Sequence, residues 1–243
     1  MKYYCFPHRV DGFGAQFQTF VYSILFCEKN NLNFVYRGIK TIEHNYANDP
    51  TYIHEIEELM NIKNNYTTEQ MIPRGSEIIE FKFNKLINLF DNNIDLYMFS
   101  TGALQKLKCV FWENKNKNCF NNGKKNVAIH IRRYITKFDV GYNRPQVPAK
   151  YYADIMNRIR SEHSNVLFHI YSIGDDDFFK ALVNEDVVFH LNENISKTFT
   201  EMVAADILVT SRSSFSHVAA ILSDGIIYYV PFWHPPAKHW IGC

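Results

Sequence analysis

From residue 127 to residue 230 the chain repeats one pattern, a short apolar run followed by a longer amphipathic stretch. The runs are 127–132, Val166–Tyr171, Val187–His190, Ile207–Thr210 and Ile226–Val230. Segments this short, apolar without alternation and rich in Val and Ile, read as strands buried on both faces. Between them lie helical segments at about Lys150–Ser161, Asp176–Leu182, Lys197–Ala204 and Ser214–Leu222. Strand and helix in strict alternation leave few solutions, and the simplest is a parallel sheet with right-handed crossovers.

The first half has the same character with less regularity. Lys2–Phe6 reads as a strand, Pro7–Gly14 as a glycine-bearing turn, and Ala15–Lys29 as a helix with Phe17, Phe20, Val21, Ile24 and Leu25 on one side. Leu32–Tyr36, Glu77–Phe83 and Asp95–Phe99 are expected strands, and Pro50–Met60 and Ala103–Trp112 expected helices. The polar stretch Glu113–Lys125 is the natural linker. The expected organisation is therefore α/β, with an N-terminal domain at residues 1–118, a C-terminal domain at 119–243, and two Rossmann-like halves facing a cleft.

Composition narrows the function classes. With 47% hydrophobic and 16% aromatic residues the chain can bury a substantial core. A formal charge of +1 gives no global basic field for nucleic acid or an anionic membrane. The five cysteines are scattered without a CxxC, as expected for reduced thiols and not for a disulfide framework or a zinc site. No signal peptide is recognisable after Met1, and the apolar stretch Phe17–Cys27 is too short to span a bilayer. A soluble, cytoplasmic chain, at most peripheral to a membrane, is expected.

Three polar clusters follow strand ends in the second half, where open α/β sheets bind ligands. His130 with Arg132 and Arg133 ends the first run. Two adjacent guanidinium groups suit the oxygens of a phosphate, although one could equally pair with a nearby Asp. Gly174-Asp-Asp-Asp177 follows the second run. Its carboxylates fit either a divalent cation beside a nucleotide diphosphate or, preferably, the negatively charged start of a helix. Thr210-Ser-Arg-Ser-Ser-Phe-Ser-His217 is a hydroxyl-rich turn opening a helix, with free N–H groups suited to phosphate. Gly12 and Gly14 at the first strand-to-helix turn suit an anion or a sugar, although in isolation they are better read as glycines that allow a tight turn. The ten histidines show no HxxxH spacing, and neither a GxxxxGK[ST] loop nor a GxSxG elbow is present.

His130-Ile-Arg-Arg133 resembles the HxRR core of the superfamily of α-1,2-, α-1,6- and protein O-fucosyltransferases. Ser213-Ser-Phe-Ser-His-Val-Ala-Ala220 is similar to the SSFSWWAA element of the α-1,2 branch, with His217 and Val218 in place of two tryptophans. Gly12-Phe-Gly-Ala-Gln16 resembles the GLGNQ turn of the same family. The resemblance implies a GT-B-like architecture and an inverting, metal-independent transfer of a sugar, most simply L-fucose from GDP-fucose, to a glycan hydroxyl. No cofactor beyond the GDP-sugar donor is implied. Carried over by position, Arg132 would stabilise the leaving β-phosphate, with Arg133 supporting it and His130 near the nucleotide. Asp175 or Asp176 would read guanine, and Ser213, Ser214 and Phe215 would form the phosphate-side turn. Asp139, in the loop after the arginines, is the choice for general base, with Asp11 and His8 as alternatives. Two other readings stand beside this one: a nucleotide- or glycan-binding module without turnover, and a metal-dependent transferase using Asp175–Asp177.

Overall fold

The computed structural model describes residues 1–45, 47–99, 102–135, 145–174 and 177–243. Strand β1 (Lys2–Cys5) leads into helix α1 (Phe13–Lys29), which carries apolar residues around its whole circumference. A helix of that kind must be covered on all sides. Strand β2 (Asn33–Phe34) follows, then α2 (Tyr52–Met60), α3 (Ile62–Asn65), β3 (Glu77–Glu80), α4 (Phe83–Asp91), α5 (Ile94–Phe99) and α6 (Ala103–Trp112). The three strands form a parallel sheet in the order β2-β1-β3. Helix α1 packs on β1 and β2 and also touches α4, α5 and α6. Its buried hydroxyls bond inside the helix: Thr19 Oγ1 donates to the Gln16 carbonyl at 2.7 Å and Ser23 Oγ to that of Thr19 at 2.8 Å. No polar group there is left to offset the apolar burial.

The expected strand at Asp95–Phe99 is helix α5 instead. Ile94, Tyr97 and Met98 are buried, a spacing of three and four that suits one helical face. Tyr97 stacks on Phe90 of α4 at 4.3 Å, so tertiary packing decides an ambiguous apolar segment. The strand expected at Leu32–Tyr36 shortens to β2 plus an isolated bridge between Tyr36 and Thr68.

The second unit has the regular rhythm. Its elements are β4 (Lys125–His130), α7 (Ala149–Glu162), β5 (Val166–Ser172), β6 (Val187–Leu191), α8 (Ile195–Ala204), β7 (Ile207–Val209), α9 (Ser214–Leu222), β8 (Ile226–Tyr229) and β9 (Ile241–Gly242). All pairings are parallel, in the order β6-β5-β4-β7-β8-β9. Residues alternate across β4. Val127, Ile129 and Ile131 join Tyr152, Ile155, Met156 and Ile159 of α7 in one core. The ring of His130 instead lies 5.2 Å from Phe215 of α9, which in turn meets Phe199 of α8 at 5.3 Å. Truncating a fully buried residue such as Ile129 to Ala would cost about 2–5 kcal/mol.

The chain separates into two compact units: Met1–Asn116 with His234–Lys238, and Lys117–Trp233 with His239–Cys243. The returning segment is tied into the first unit by His234, whose Nδ1 lies 2.9 Å from Asp91 Oδ1, and by the Lys238 N–H, which donates to Asp95 Oδ1 at 2.9 Å.

Candidate functional site

In the second sheet the strand order reverses between β4 and β7. From β4 the chain builds β5 and β6 on one side, then crosses to build β7, β8 and β9 on the other. The loops leaving β4 and β7 therefore diverge, and the crevice outside their carboxyl ends is the usual ligand position of a doubly wound sheet. His130-Ile-Arg-Arg133 leaves β4 there, and the Thr210–Phe215 turn leaves β7. The register sets them side by side, with Ile129 opposite Val209.

One bond closes the two loops together. His130 Nδ1 lies 2.7 Å from Ser211 Oγ, and Ser216 Oγ accepts the Ser211 N–H at 3.0 Å. Burial, and after it the charge of Arg132, lowers the His130 pKa to about 3, so the imidazole is neutral at physiological pH. Ser213 caps α9, its Oγ accepting the Phe215 N–H at 3.3 Å. Ser214 is the first residue of that helix and half-buried, as is Phe215. The start of α9 thus supplies a partial positive charge and backbone donors beside the arginine loop.

The two arginines have different surroundings. Arg133 is buried, with its guanidinium carbon 4.3 Å from the Phe178 ring and 5.5 Å from that of Phe179. Arg132 is half-buried, 5.5 Å from the ring of Tyr134. Gln146 holds this loop: its Nε2 donates to the Arg132 carbonyl at 2.9 Å, and its Oε1 accepts the Tyr134 N–H at 3.4 Å. Tyr134 donates its hydroxyl to the Arg212 carbonyl at 3.3 Å, and Arg212 Nε donates to the Pro231 carbonyl at 3.2 Å. Three neighbouring loops, after β4, β7 and β8, are laced together by these contacts. Sequence reasoning did not single out Ser211, Ser216, Tyr134 or Gln146. Ser211 and Ser216 lay within the hydroxyl-rich turn, which was signal enough. Gln146 offered none, because its role is to hold backbone groups of a loop fourteen residues away.

Asp139, Asp175 and Asp176 lie outside the described residues. Asp177 opens the short 3₁₀ segment Asp177–Leu182, and its carboxylate is exposed and 2.8 Å from Lys180 Nζ. Among the described residues no three His, Cys, Asp or Glu side chains gather as a metal would require. His217 is buried, with its ring 5.4 Å from that of Trp240.

Gly12 and Gly14 belong to the first unit. Gly12 precedes α1 with an ordinary φ of −69°. Its requirement is space, since a Cβ there would stand 2.6 Å from His44 Cδ2. Gly14 is buried in the first turn of the helix. Asp11 is engaged by the Arg9 guanidinium and by the Gly12 N–H at 2.8 Å. The His8 pKa is lowered by burial and then by Lys40.

No family model matches the chain, and no curated protein matches it in sequence. Solved structures do superpose on it. Heptosyltransferase WaaC of E. coli with ADP superposes with a TM-score of 0.50 at 10% identity, over 100% of this chain and 93% of that one. Fucosyltransferase NodZ from Bradyrhizobium gives a TM-score of 0.45 at 10% identity, over 98% and 97% of the two chains. POFUT1 in complex with GDP gives 0.32 at 13% identity, over 94% and 74%. The fold is α/β with a parallel sheet in each unit, GT-B-like as in that heptosyltransferase structure. No helix among the described residues is long and apolar enough to cross a membrane.

Proposed function

We propose that the chain is an inverting glycosyltransferase that takes its sugar from a nucleotide diphosphate, GDP-fucose before others, and passes it to a glycan hydroxyl. The observation that carries this reading is that the loop bearing Arg132 and Arg133 and the Ser213-capped start of α9 leave neighbouring strands where the strand order of the second sheet reverses. Cationic forks on one side and helix N–H groups on the other suit a pyrophosphate. The GT-B-like fold and the motif resemblance agree with that use of the crevice. The preference for guanine and fucose rests on the motifs.

In the reaction the acceptor oxygen bonds to the anomeric carbon while the bond from that carbon to the β-phosphate oxygen breaks. The electron pair leaves with GDP, and the acceptor proton goes to a base. Arg132 meets the charge that develops on the β-phosphate, an electrostatic task that such sites perform by preorganisation. Arg133, fixed against Phe178 and Phe179, adds its charge and braces the loop. Neutral His130 lines the nucleotide side and holds Ser211 in place. Asp139 is the proposed base, and Asp175 or Asp176 the reader of guanine.

The test is incubation with GDP-fucose and a mixed glycan acceptor, following GDP release and labelled sugar. Acceptor-dependent GDP release supports the transferase. Tight GDP binding without any release would instead indicate a binding module.

A further inference from the structure

The chain has three tryptophans, and two are buried: Trp112 at 8% and Trp240 at 6% exposure. Trp233 is 50% exposed. Leaving an indole half in water forgoes much of the burial that stabilises a large aromatic side chain. A solitary exposed aromatic is unremarkable by that measure, but this one is held in a prepared position.

The preparation is visible in the backbone. Tyr229, at the end of β8, uses its hydroxyl twice on residue 232, accepting the Phe232 N–H at 2.9 Å and donating to the Phe232 carbonyl at 3.3 Å. Arg212 holds the Pro231 carbonyl from the neighbouring turn. The Phe232 ring lies 3.6 Å from that of Trp233, centroid to centroid, and Phe232 also faces His217 at 6.3 Å. Behind them Trp240 packs on both His217 and Tyr229, at 5.4 and 6.0 Å. The exposed indole thus rests on half-buried Phe232, with His217, Tyr229 and Trp240 buried behind it, and the loop that carries it is fastened at two points.

The location completes the argument. Trp233 follows Pro231 by two residues, and Pro231 is one hydrogen bond from Arg212, which is one hydrogen bond from Tyr134. Tyr134 is the ring beside Arg132. The indole therefore belongs to the same rim of loops as the arginine and serine clusters, one strand further along the sheet.

We propose that Trp233 is the stacking platform for a pyranose ring of the glycan acceptor. One face of a pyranose presents several C–H groups and no hydroxyl. Those weakly positive hydrogens fit the negative face of an indole, while the equatorial hydroxyls stay in water. A rigid, half-exposed indole loses little side-chain entropy on binding, which favours weak but oriented recognition of a neutral sugar. This assignment rests on the glycosyltransferase reading for its use in catalysis, though not for its binding chemistry.

The experiment titrates the full chain with lactose, N-acetyllactosamine, chitotriose and cellotriose, read by tryptophan fluorescence and by the indole N–H signals in NMR. At least one sugar is expected to shift the Trp233 resonance while leaving those of Trp112 and Trp240 in place. Trp233→Ala should weaken that sugar by at least tenfold, and Trp233→Phe by less than the alanine, with both melting within a degree or two of the parent. No sugar perturbing Trp233, or equal affinity in the alanine variant, overturns the platform. GDP and GDP-fucose are titrated into the unaltered chain alongside. Failure of both to bind removes the transferase reading while a Trp233-dependent sugar site stands. Nucleotide binding without any effect of sugars on Trp233 does the reverse.

Discussion

Ser211 Oγ and His130 Nδ1 stand 2.7 Å apart, joining the loop after β7 to the end of β4 across the point where the strand order reverses. The pair is buried, so neither partner has water as a substitute. Ser211→Ala leaves a buried imidazole nitrogen without its bond and should cost about 1–3 kcal/mol, a loss readable in urea denaturation. Ser214→Ala, at the half-buried first residue of α9, should change stability by less than about 0.5 kcal/mol and lower nucleotide affinity instead. The reverse assignment of effects would show that Ser214 is structural and Ser211 dispensable.

Arg132 is the sharpest single test of the proposed transfer. Arg132→Ala and Arg132→Lys should each lower turnover by roughly a hundredfold, the scale of losing one donor to a developing anion. Lysine should rescue poorly because it lacks the bidentate fork. The half-buried side chain predicts a nearly unchanged melting temperature. Full turnover in the alanine variant removes the role assigned to the arginine pair, and lost folding makes Arg132 half of a structural ion pair.

Nucleotide choice is read by thermal shift. GDP should raise the melting temperature more than UDP or ADP at equal concentration, because a carboxylate at Asp175 or Asp176 would accept from the donor edge of guanine. Equal stabilisation by the three nucleotides would end the assignment of GDP.

Metal dependence separates the two uses of the aspartates. Transfer should survive excess EDTA without loss. Activity abolished by chelation and restored by Mn²⁺ would make ligands of Asp175–Asp177 and hand the leaving-group charge to a cation.

Acid should weaken the second unit in a defined window. Burial, and then the charge of His190, lowers the His169 pKa to about 4, and His130 stands at about 3, both below the ordinary 6.5. Between those values and 6.5 the unfolded chain binds protons that the folded chain refuses. Stability is therefore fully present above about pH 6.5 and is lost as pH falls through 6 and 5, by up to ~1.4 kcal/mol per pH unit for each histidine. Urea midpoints at pH 7.5 and pH 5 measure this. His169→Gln, which keeps an amide near Asn126 and His190, should shrink the difference, whereas an unchanged difference would place the effect elsewhere.

The second sheet was legible because its central strands are covered on both faces, so Val127–Ile129 and Ile207–Val209 could not be anything but apolar. Its extra strand β9 was not legible, since the two residues Ile241 and Gly242 carry no pattern and pair with β8 only through the tertiary fold. In the first unit Asp95–Phe99 misled because five residues cannot distinguish period two from period 3.6. The arginine and serine clusters were legible because uncommon residue groupings sit at strand ends. The glutamine that steadies the first of them was invisible, because backbone-holding side chains leave no spacing rule behind.

The segment His234–Lys238 returns to the first unit before the chain ends in the second. A gene for this protein therefore has no single cut that releases either unit whole. Recombination at the polar stretch near Asn116 would separate Asp91 and Asp95 from the residues that answer them at His234 and Lys238. Replacing the first unit by another would therefore keep both contacts only if residues 234–238 were replaced together with it.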